Sequence, residues 1–152
     1  MRTVDEILMR ATPEQVFRAA MNVEQWPAIL RHYRWVKVHG YSTSGRVVEM
    51  AVRHGGIPLW WRAEQRLDID QQQVCYTHTD GMTRGMEVVW QLAADGDGTR
   101  VRIIHELTFL TPIVHGWPGQ VIAGWLFIKP VAQRTLRGLK RHLEEAICHE
   151  PS

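Results

Sequence analysis

The sequence predicts an α+β domain in which an antiparallel β-sheet packs against a long C-terminal helix. Three observations predict it. Apolar residues alternate with period two between residues 32 and 110, turn-forming residues interrupt that region at short intervals, and a helical repeat follows Pro112. Strands joined by hairpins without helical crossovers pair antiparallel. One face of such a sheet needs a cover, and only the last helix is long enough to provide it.

A strand and two short helices are predicted to precede the main sheet. Residues 3–10 are rich in branched side chains, which is typical of a strand. Thr12 is placed as an N-cap, with Pro13 at the first helical position and Gln15 at the third, which is the capping-box arrangement. Asn22 is a second candidate cap, so we expect a pair of short helices and not one long helix.

About six further strands are predicted between residues 32 and 110. Each combines an alternation of apolar and polar residues with a turn signal at its end. The predicted strand residues are 36–38, 48–52, 57–69, 74–79, 86–92 and 101–109. Asp80 and Gly81 form the dipeptide that most often makes a two-residue hairpin, so a turn is expected there.

The last helix is predicted from an apolar stripe with basic residues outside it. The stripe contains Ile122, Trp125, Ala132, Leu136, Leu139, Leu143 and Ile147. Pro130 is expected to kink this helix or to split it near Ile128, because proline has no amide hydrogen and crowds the preceding turn.

Length and composition exclude several classes of protein. A chain of 152 residues, 45% of them hydrophobic and 22% charged, is expected to form one soluble domain over residues 1–152. The longest apolar run, residues 121–128, is far shorter than the roughly 20 residues that cross a bilayer. The N-terminus lacks the apolar core of a signal peptide, and two isolated cysteines suit a reducing cytoplasm. A net charge of +2 gives no reason to expect nucleic acid as a partner.

The candidates for a site are polar residues at strand positions that the alternation assigns to the buried face of the sheet. They are Gln65, Tyr76, His78, Arg84 and His105. A buried polar group needs a partner, so Gln65 and His105 are each either bonded core residues or residues that line a pocket. Arg84 either points inward or reaches the sheet edge. Tyr76 and His78 are interpreted as structural or exposed.

Tryptophan is unusually frequent, with seven copies against three each of phenylalanine and tyrosine. Trp26, Trp61, Trp90 and Trp125 all occupy predicted buried positions. Large rigid indoles suit the lining of an apolar cavity, although they could also simply fill the core. The sequence contains no metal-ligand spacing, phosphate loop or dinucleotide fingerprint, so neither a metal nor a cofactor is expected.

Several segments resemble the polyketide cyclase/dehydrase family of the START-like (SRPBCC) superfamily. They are residues 11–17, 23–27, 60–64, 89–102 and 139–144, so the resemblance covers nearly the whole chain. It implies a helix-grip fold, in which a curved antiparallel sheet of about seven strands wraps around a long C-terminal helix. It also implies an internal cavity that binds a hydrophobic, aromatic or polyketide-like small molecule.

Within that family the chain looks most similar to the bacterial aromatase/cyclases. The resemblance implies that Trp26, Tyr33, Trp61 and Trp90 are pocket aromatics. The arginine that those enzymes use to orient the polyketide corresponds to Gln65 here. Gln65 and Trp125 complete the predicted substrate-binding set.

An enzyme of this kind would close and aromatise the ring of a poly-β-ketone. His105 is the candidate base because histidine changes charge near neutral pH. Tyr33 would donate to a carbonyl or enolate oxygen, and Arg84 would anchor an anionic group if it points inward.

Two other functions remain open from the sequence. The first is a non-catalytic carrier of a lipid or quinone, with residues 121–128 framing an entrance that makes transient contact with a membrane. The second is an interaction module that binds RNA through the basic face of the last helix. The protein is expected to be a monomer or a homodimer.

Overall fold

A seven-stranded sheet and a long helix dominate the computed structural model, which describes residues 2–43, 45–107 and 117–148, without the side chains of residues 117–126. In chain order the elements are β1 (Arg2–Met9), α1 (Pro13–Met21), a 3₁₀ turn (Val23–Gln25), α2 (Trp26–Ile29), β2 (Tyr33–Tyr41), β3 (Arg46–His54), β4 (Ile57–Asp68), β5 (Gln73–Gly81), β6 (Met86–Asp95), β7 (Gly98–Leu107) and α3 (Trp117–Cys148).

The strands form one antiparallel sheet in the order β1-β7-β6-β5-β4-β3-β2. Only the pairing of β1 with β7 joins strands that are distant in sequence. The buried side chains of the sheet and of α3 belong to one hydrophobic core, so α3 covers the inner face. The predicted fold, a curved sheet of about seven strands wrapped on a C-terminal helix, is confirmed.

The start of α1 has the predicted capping box. The Gln15 amide donates to Thr12 Oγ1 at 3.2 Å, and the Thr12 amide donates to Gln15 Oε1 at 2.9 Å. Val16 and Ala20 then face the core. Asn22 does precede the second helical segment, but its side chain makes no capping hydrogen bond.

The long helix α3 is continuous from Trp117 to Cys148 and contains Pro130, so of the two expected outcomes, a kink or a split near Ile128, the split does not occur. Residues on both sides of the proline are packed in the core, including Ile128 and Val131. Burial of this face offsets the loss of one helical hydrogen bond.

Side chains of α3 also cover the free edge of β1. Lys129 Nζ and Lys140 Nζ donate to the carbonyl oxygens of Val4 and Leu8, at 3.4 and 3.0 Å. An edge strand otherwise presents unpaired backbone groups. The lysines therefore tie the first strand to the last helix.

The alternation in β4 extends further than the core does. Ile57 and Leu67 have the predicted inward parity but are exposed, and Ile69 lies beyond the strand with 73% of its surface accessible. The expected two-residue turn is also misplaced, because Asp80 and Gly81 pair with β4 and the turn spans residues 82–85.

Candidate functional site

One row of directly paired residues crosses the inner face of the sheet. The row consists of Arg46, Gln65, Tyr76, Val88, His105 and Thr3, each paired with the next on the neighbouring strand. Directly paired residues point to the same face of a sheet. Two polar groups of residues therefore lie on the inner face, separated by the apolar Val88.

The first group is centred on Gln65, and protein partners satisfy all of its polar atoms. Gln65 Nε2 donates to the Met21 carbonyl and to the Tyr76 hydroxyl, both at 2.9 Å. Gln65 Oε1 accepts from Arg46 Nε. The Tyr76 hydroxyl donates in turn to the Ala20 carbonyl at 3.3 Å. We call this group the Gln65 network. Gln65 is buried as predicted, but its contacts fasten the end of α1 to the sheet.

The second group lies at the other end of the row, where β1 meets β7. Thr3 and Asp5 are buried, with 3% and 5% of their surfaces accessible. Thr3 Oγ1, Asp5 Oδ2 and His105 Nδ1 are buried atoms with no hydrogen-bond partner in the described part of the chain. Asp5 Oδ1 accepts from Lys129 Nζ at 2.9 Å. We call Thr3, Asp5 and His105 the β1–β7 group.

The imidazole of His105 is neutral at neutral pH. Burial lowers its pKa from 6.5 to about 4, while the Asp5 carboxylate opposes the shift and the Lys129 ammonium adds to it. The expectation that this histidine changes charge near neutral pH is therefore wrong, because its desolvation outweighs its favourable charge neighbour.

The neighbouring His78 behaves in the same way. Burial lowers its pKa to about 3, with a further contribution from His105. Its Nδ1 shares a hydrogen bond of 2.6 Å with the Thr83 hydroxyl. His78 and Tyr76, interpreted from the sequence as structural or exposed, are both buried.

Five aromatic rings follow one another through the interior. Ring centroids are 5.7 Å apart for Trp90 and Trp26, 5.1 Å for Trp26 and Tyr33, and 6.3 Å for Tyr33 and Trp61. Trp61 then stacks on His78 at 5.6 Å, with 20° between the ring planes. Trp26 and Trp90 are buried as predicted, whereas Trp61 is only partly buried. Trp61 is thus the indole of this series with surface still accessible.

The buried phenol of Tyr33 is held edge-on between two of these indoles. Burial raises its pKa, and a hydrogen bond with Thr135 only partly opposes the shift. Tyr33 therefore remains protonated over the physiological range, and its hydroxyl can act as a donor.

Two predicted site residues lie elsewhere. Arg84 is exposed in the turn at residues 82–85, because β6 begins only at Met86 and strand alternation does not continue into a turn. Of the two placements left open by the sequence, the structure shows the exposed one, so the condition for an anchoring role of Arg84 is not met. The side chain of Trp125 lies outside the described residues.

Thr3 and Asp5 were not predicted as site residues, although the sequence carries a signal for them. Both share the parity of Ile7 and Met9 in β1, so they are polar residues on a buried face. Their proximity to His105 depends on the pairing of β1 with β7, which has no local signal. Lys129 was missed because the apolar stripe of α3 does not include it.

Among the described residues, no three histidine, cysteine or acidic side chains are grouped so that they could hold a metal ion. In the same part of the chain, none of the helices combines the length and hydrophobicity that crossing a bilayer requires.

Comparison with known proteins gives a family match and one curated relative. The family model described as polyketide cyclase / dehydrase and lipid transport matches residues 9–142. The chain is 26% identical over 107 residues to the actinorhodin polyketide synthase bifunctional cyclase/dehydratase of Streptomyces coelicolor. That alignment covers 69% of this chain but only 34% of the relative.

Solved structures with the same fold come from bacteria and plants. The Zhui aromatase/cyclase from Streptomyces sp. R1128 has a TM-score of 0.84 at 15% identity, with 97% and 95% of the two chains covered. TTHA0849 from Thermus thermophilus has a TM-score of 0.80 at 20% identity, covering 96% and 99%. The major latex-like protein 151 of Panax ginseng has a TM-score of 0.71 at 14% identity, covering 94% and 97%. At these identities the likeness concerns the fold.

Proposed function

Because this chain belongs to the polyketide cyclase/dehydrase and lipid transport family, we propose that it binds a flat, aromatic, polyketide-like molecule between the sheet and α3. The observation that carries the proposal is the series of aromatic rings on the inner face, which ends at the partly buried Trp61. Sites for small apolar ligands are lined mainly by hydrophobic and aromatic side chains with a few polar groups.

The proposed contacts divide between packing and hydrogen bonding. Trp61 would stack on the ligand, with Trp26 and Trp90 as the apolar wall behind it. An aromatic pair in offset or edge-on geometry contributes about 1 kcal/mol beyond its buried area. Tyr33 would donate to a ligand oxygen, since its phenol stays protonated.

Cyclisation is the activity we propose for this site. A bound poly-β-ketone loses a methylene proton, the resulting enolate carbon attacks a ketone to form the ring bond, and the alkoxide takes up a proton before water leaves. His105 presents a ring nitrogen, without a partner among the described residues, that can accept the methylene proton. Since its pKa of about 4 makes it a weak base, holding the flexible chain in one fold would supply the larger share of the acceleration.

Carriage of a lipid or quinone without chemistry is the second candidate. It is favoured by the positions of Gln65 and Arg84. The amide of Gln65 is occupied by protein partners, and the guanidinium of Arg84 is outside the interior. Neither side chain is therefore placed to take over the role of the arginine that orients the polyketide in the aromatase/cyclases.

A pair of adjacent tryptophans provides a matched binding test. Trp61 faces the interior, while Trp60 points to the outer face of the same strand with 45% of its surface accessible. With the dihydroxyanthraquinone alizarin as probe, Trp61→Ala should raise Kd about tenfold, and Trp60→Ala should leave it unchanged. Isothermal titration calorimetry measures both. Equal effects of the two substitutions, or no binding by the native protein, would contradict the proposed site.

A second experiment separates catalysis from carriage. Tyr33→Phe and His105→Gln should each reduce turnover of a linear poly-β-ketone substrate by more than about tenfold while alizarin still binds. Native mass spectrometry of the purified protein identifies any co-purifying molecule. Unchanged turnover in both variants would remove the proposed chemistry. A co-purifying lipid or quinone together with no turnover would establish the carrier instead.

A further inference from the structure

We propose that Thr3, Asp5 and His105 form the polar end of this ligand site and select a neutral hydroxyl group over a carboxylate. The inference rests on the proposed function, because it requires a ligand on the inner face. The ligand site then includes two residues of β1. Its ligand ends in a neutral hydroxyl, as a phenol does, and not in the carboxylate of a fatty acid.

The pairing of strands places these residues beside the aromatic rings. Thr3 is paired directly with His105, and Asp5 is paired with Ile103. Ile103 is paired in turn with Trp90, so the carboxylate and an indole belong to one row of the sheet. His105 is the diagonal neighbour of Trp90, because it is paired with Val88, two residues before Trp90. Diagonal neighbours in a sheet lie about 7–8 Å apart, so a single ring system can reach both Trp90 and His105.

Burial distinguishes these polar atoms from ordinary surface groups. Thr3 Oγ1, Asp5 Oδ2 and His105 Nδ1 are inaccessible to solvent and have no hydrogen-bond partner among the described residues. Folding normally leaves few such atoms, because each one loses its hydration without compensation. Three of them lie on adjacent positions of one face, where Thr3 is paired with His105 and Asp5 is two residues along the same strand.

The chemistry of the three atoms restricts the ligand. Asp5 Oδ1 forms an ion pair with Lys129 Nζ, and the second oxygen of such a carboxylate, Oδ2, can only accept a hydrogen bond. The neutral His105 and the Thr3 hydroxyl can each donate or accept. A ligand hydroxyl can donate to Asp5 and accept from Thr3 or His105. A ligand carboxylate cannot donate, and it would place a second negative charge beside Asp5.

Three naphthalene probes of similar size test this selectivity at neutral pH, with calorimetry as the readout. The native protein should bind 2-naphthol about tenfold more tightly than naphthalene, and 2-naphthoate more weakly than naphthalene. Asp5→Asn should improve the relative affinity for 2-naphthoate about tenfold by removing the charge. Thr3→Val should reduce the preference for 2-naphthol several-fold and leave naphthalene unchanged.

Glu6 provides the control for charge. It is the next residue of β1, points to the outer face and pairs with Arg100 and Arg102. Glu6→Gln removes one negative charge without touching the inner face, so the selectivity should not change. Asp5→Asn leaves Lys129 without its carboxylate, so Asp5→Asn/Lys129→Met is made as well, and circular dichroism identifies which variants fold.

The outcomes separate this inference from the proposed function. If no probe binds the native protein, both are overturned. If all three bind with equal affinity, the aromatic site stands and the polar end is overturned. The polar end is also overturned if the folded variants of Asp5 and Thr3 keep the native selectivity, or if Glu6→Gln changes it as much as Asp5→Asn does.

Discussion

The Gln65 network and the β1–β7 group occupy opposite ends of one sheet row, but they differ in how their polar atoms are satisfied. The Gln65 amide bonds to Arg46, Tyr76 and the end of α1. In the β1–β7 group Thr3 and Asp5 are also buried, yet Thr3 and His105 each keep a buried atom that no described residue bonds. The difference shows that burial alone does not identify a site. The partnered atoms of the Gln65 network link α1 to the sheet, whereas the unpartnered atoms of the β1–β7 group are those that we propose for ligand binding.

The largest expected effect is loss of the Gln65 network. Gln65→Leu removes hydrogen bonds to Arg46, Tyr76 and Met21 and leaves buried groups unpaired. We expect the free energy of unfolding to fall by about 3 kcal/mol. Urea denaturation measures it, with the exposed Gln71→Leu as control. A loss no greater than that of the control would show that the network does not stabilise the fold.

Lowering the pH should reduce the free energy of unfolding through His105 of the β1–β7 group, and not through the Gln65 network. The unfolded state protonates His105 at a pKa near 6.5 and the folded state only at about 4, so protons favour unfolding between these values. At pH 5 this residue should lower the free energy of unfolding by about 2 kcal/mol relative to pH 7.

His105→Gln should therefore reduce the loss of unfolding free energy between pH 7 and 5 by about 2 kcal/mol, while His32 and His78, with pKa values of about 4 and about 3, keep their own contributions. The groups that face His105 are Asp5, Lys129 and His78, and all remain in this variant. Tyr76→Phe serves as the comparison at the other end of the row, where it should leave the slope unchanged. Equal slopes for His105→Gln and the native protein would contradict the assignment.

A smaller loss is expected from the Tyr76 hydroxyl. Tyr76→Phe removes one hydrogen bond from Gln65 and one to the Ala20 carbonyl, while Gln65 keeps its bond to Met21. The free energy of unfolding should fall by about 1 kcal/mol. A loss as large as that of Gln65→Leu would mean that the phenol, and not the amide, organises the network.

The smallest expected effect on stability is that of a substitution in the β1–β7 group. Thr3→Val replaces a buried hydroxyl, which has no partner among the described residues, with a methyl group of similar size. The free energy of unfolding should stay the same or rise by up to about 1 kcal/mol. Thermal denaturation measures this change. A clear loss of stability would show that Thr3 has a structural partner, and that the β1–β7 group stabilises the fold as the Gln65 network does.

Short-range patterns in the sequence predicted most of the local structure. The capping box at Thr12, the alternating strands and the stripe of α3 all depend on neighbours within a few residues. The errors occur at the ends of strands, where the alternation of the sequence continues beyond the strand itself. Arg84 has the parity of β6 but lies before the strand begins, and Ile69 has the parity of β4 but lies after it ends.

The candidate site was only partly predictable. Trp26, Trp61 and Trp90 were identified because large indoles at inward positions are visible in the sequence. The role of Gln65 was not, since its partners come from α1 and from the adjacent strands. The neutral state of His105 follows from desolvation, which depends on everything packed around it.

The amino-acid sequence by itself determined the order of elements, the inward face of most strands and the aromatic character of the interior, because periodicity and residue type are local properties. Only the tertiary structure decided which buried polar atoms meet. Thr3 and His105 are about a hundred residues apart and become neighbours through the pairing of β1 with β7. Hydrogen bonds act over a few ångströms, so the same kind of side chain becomes structural or functional according to what long-range pairing places beside it.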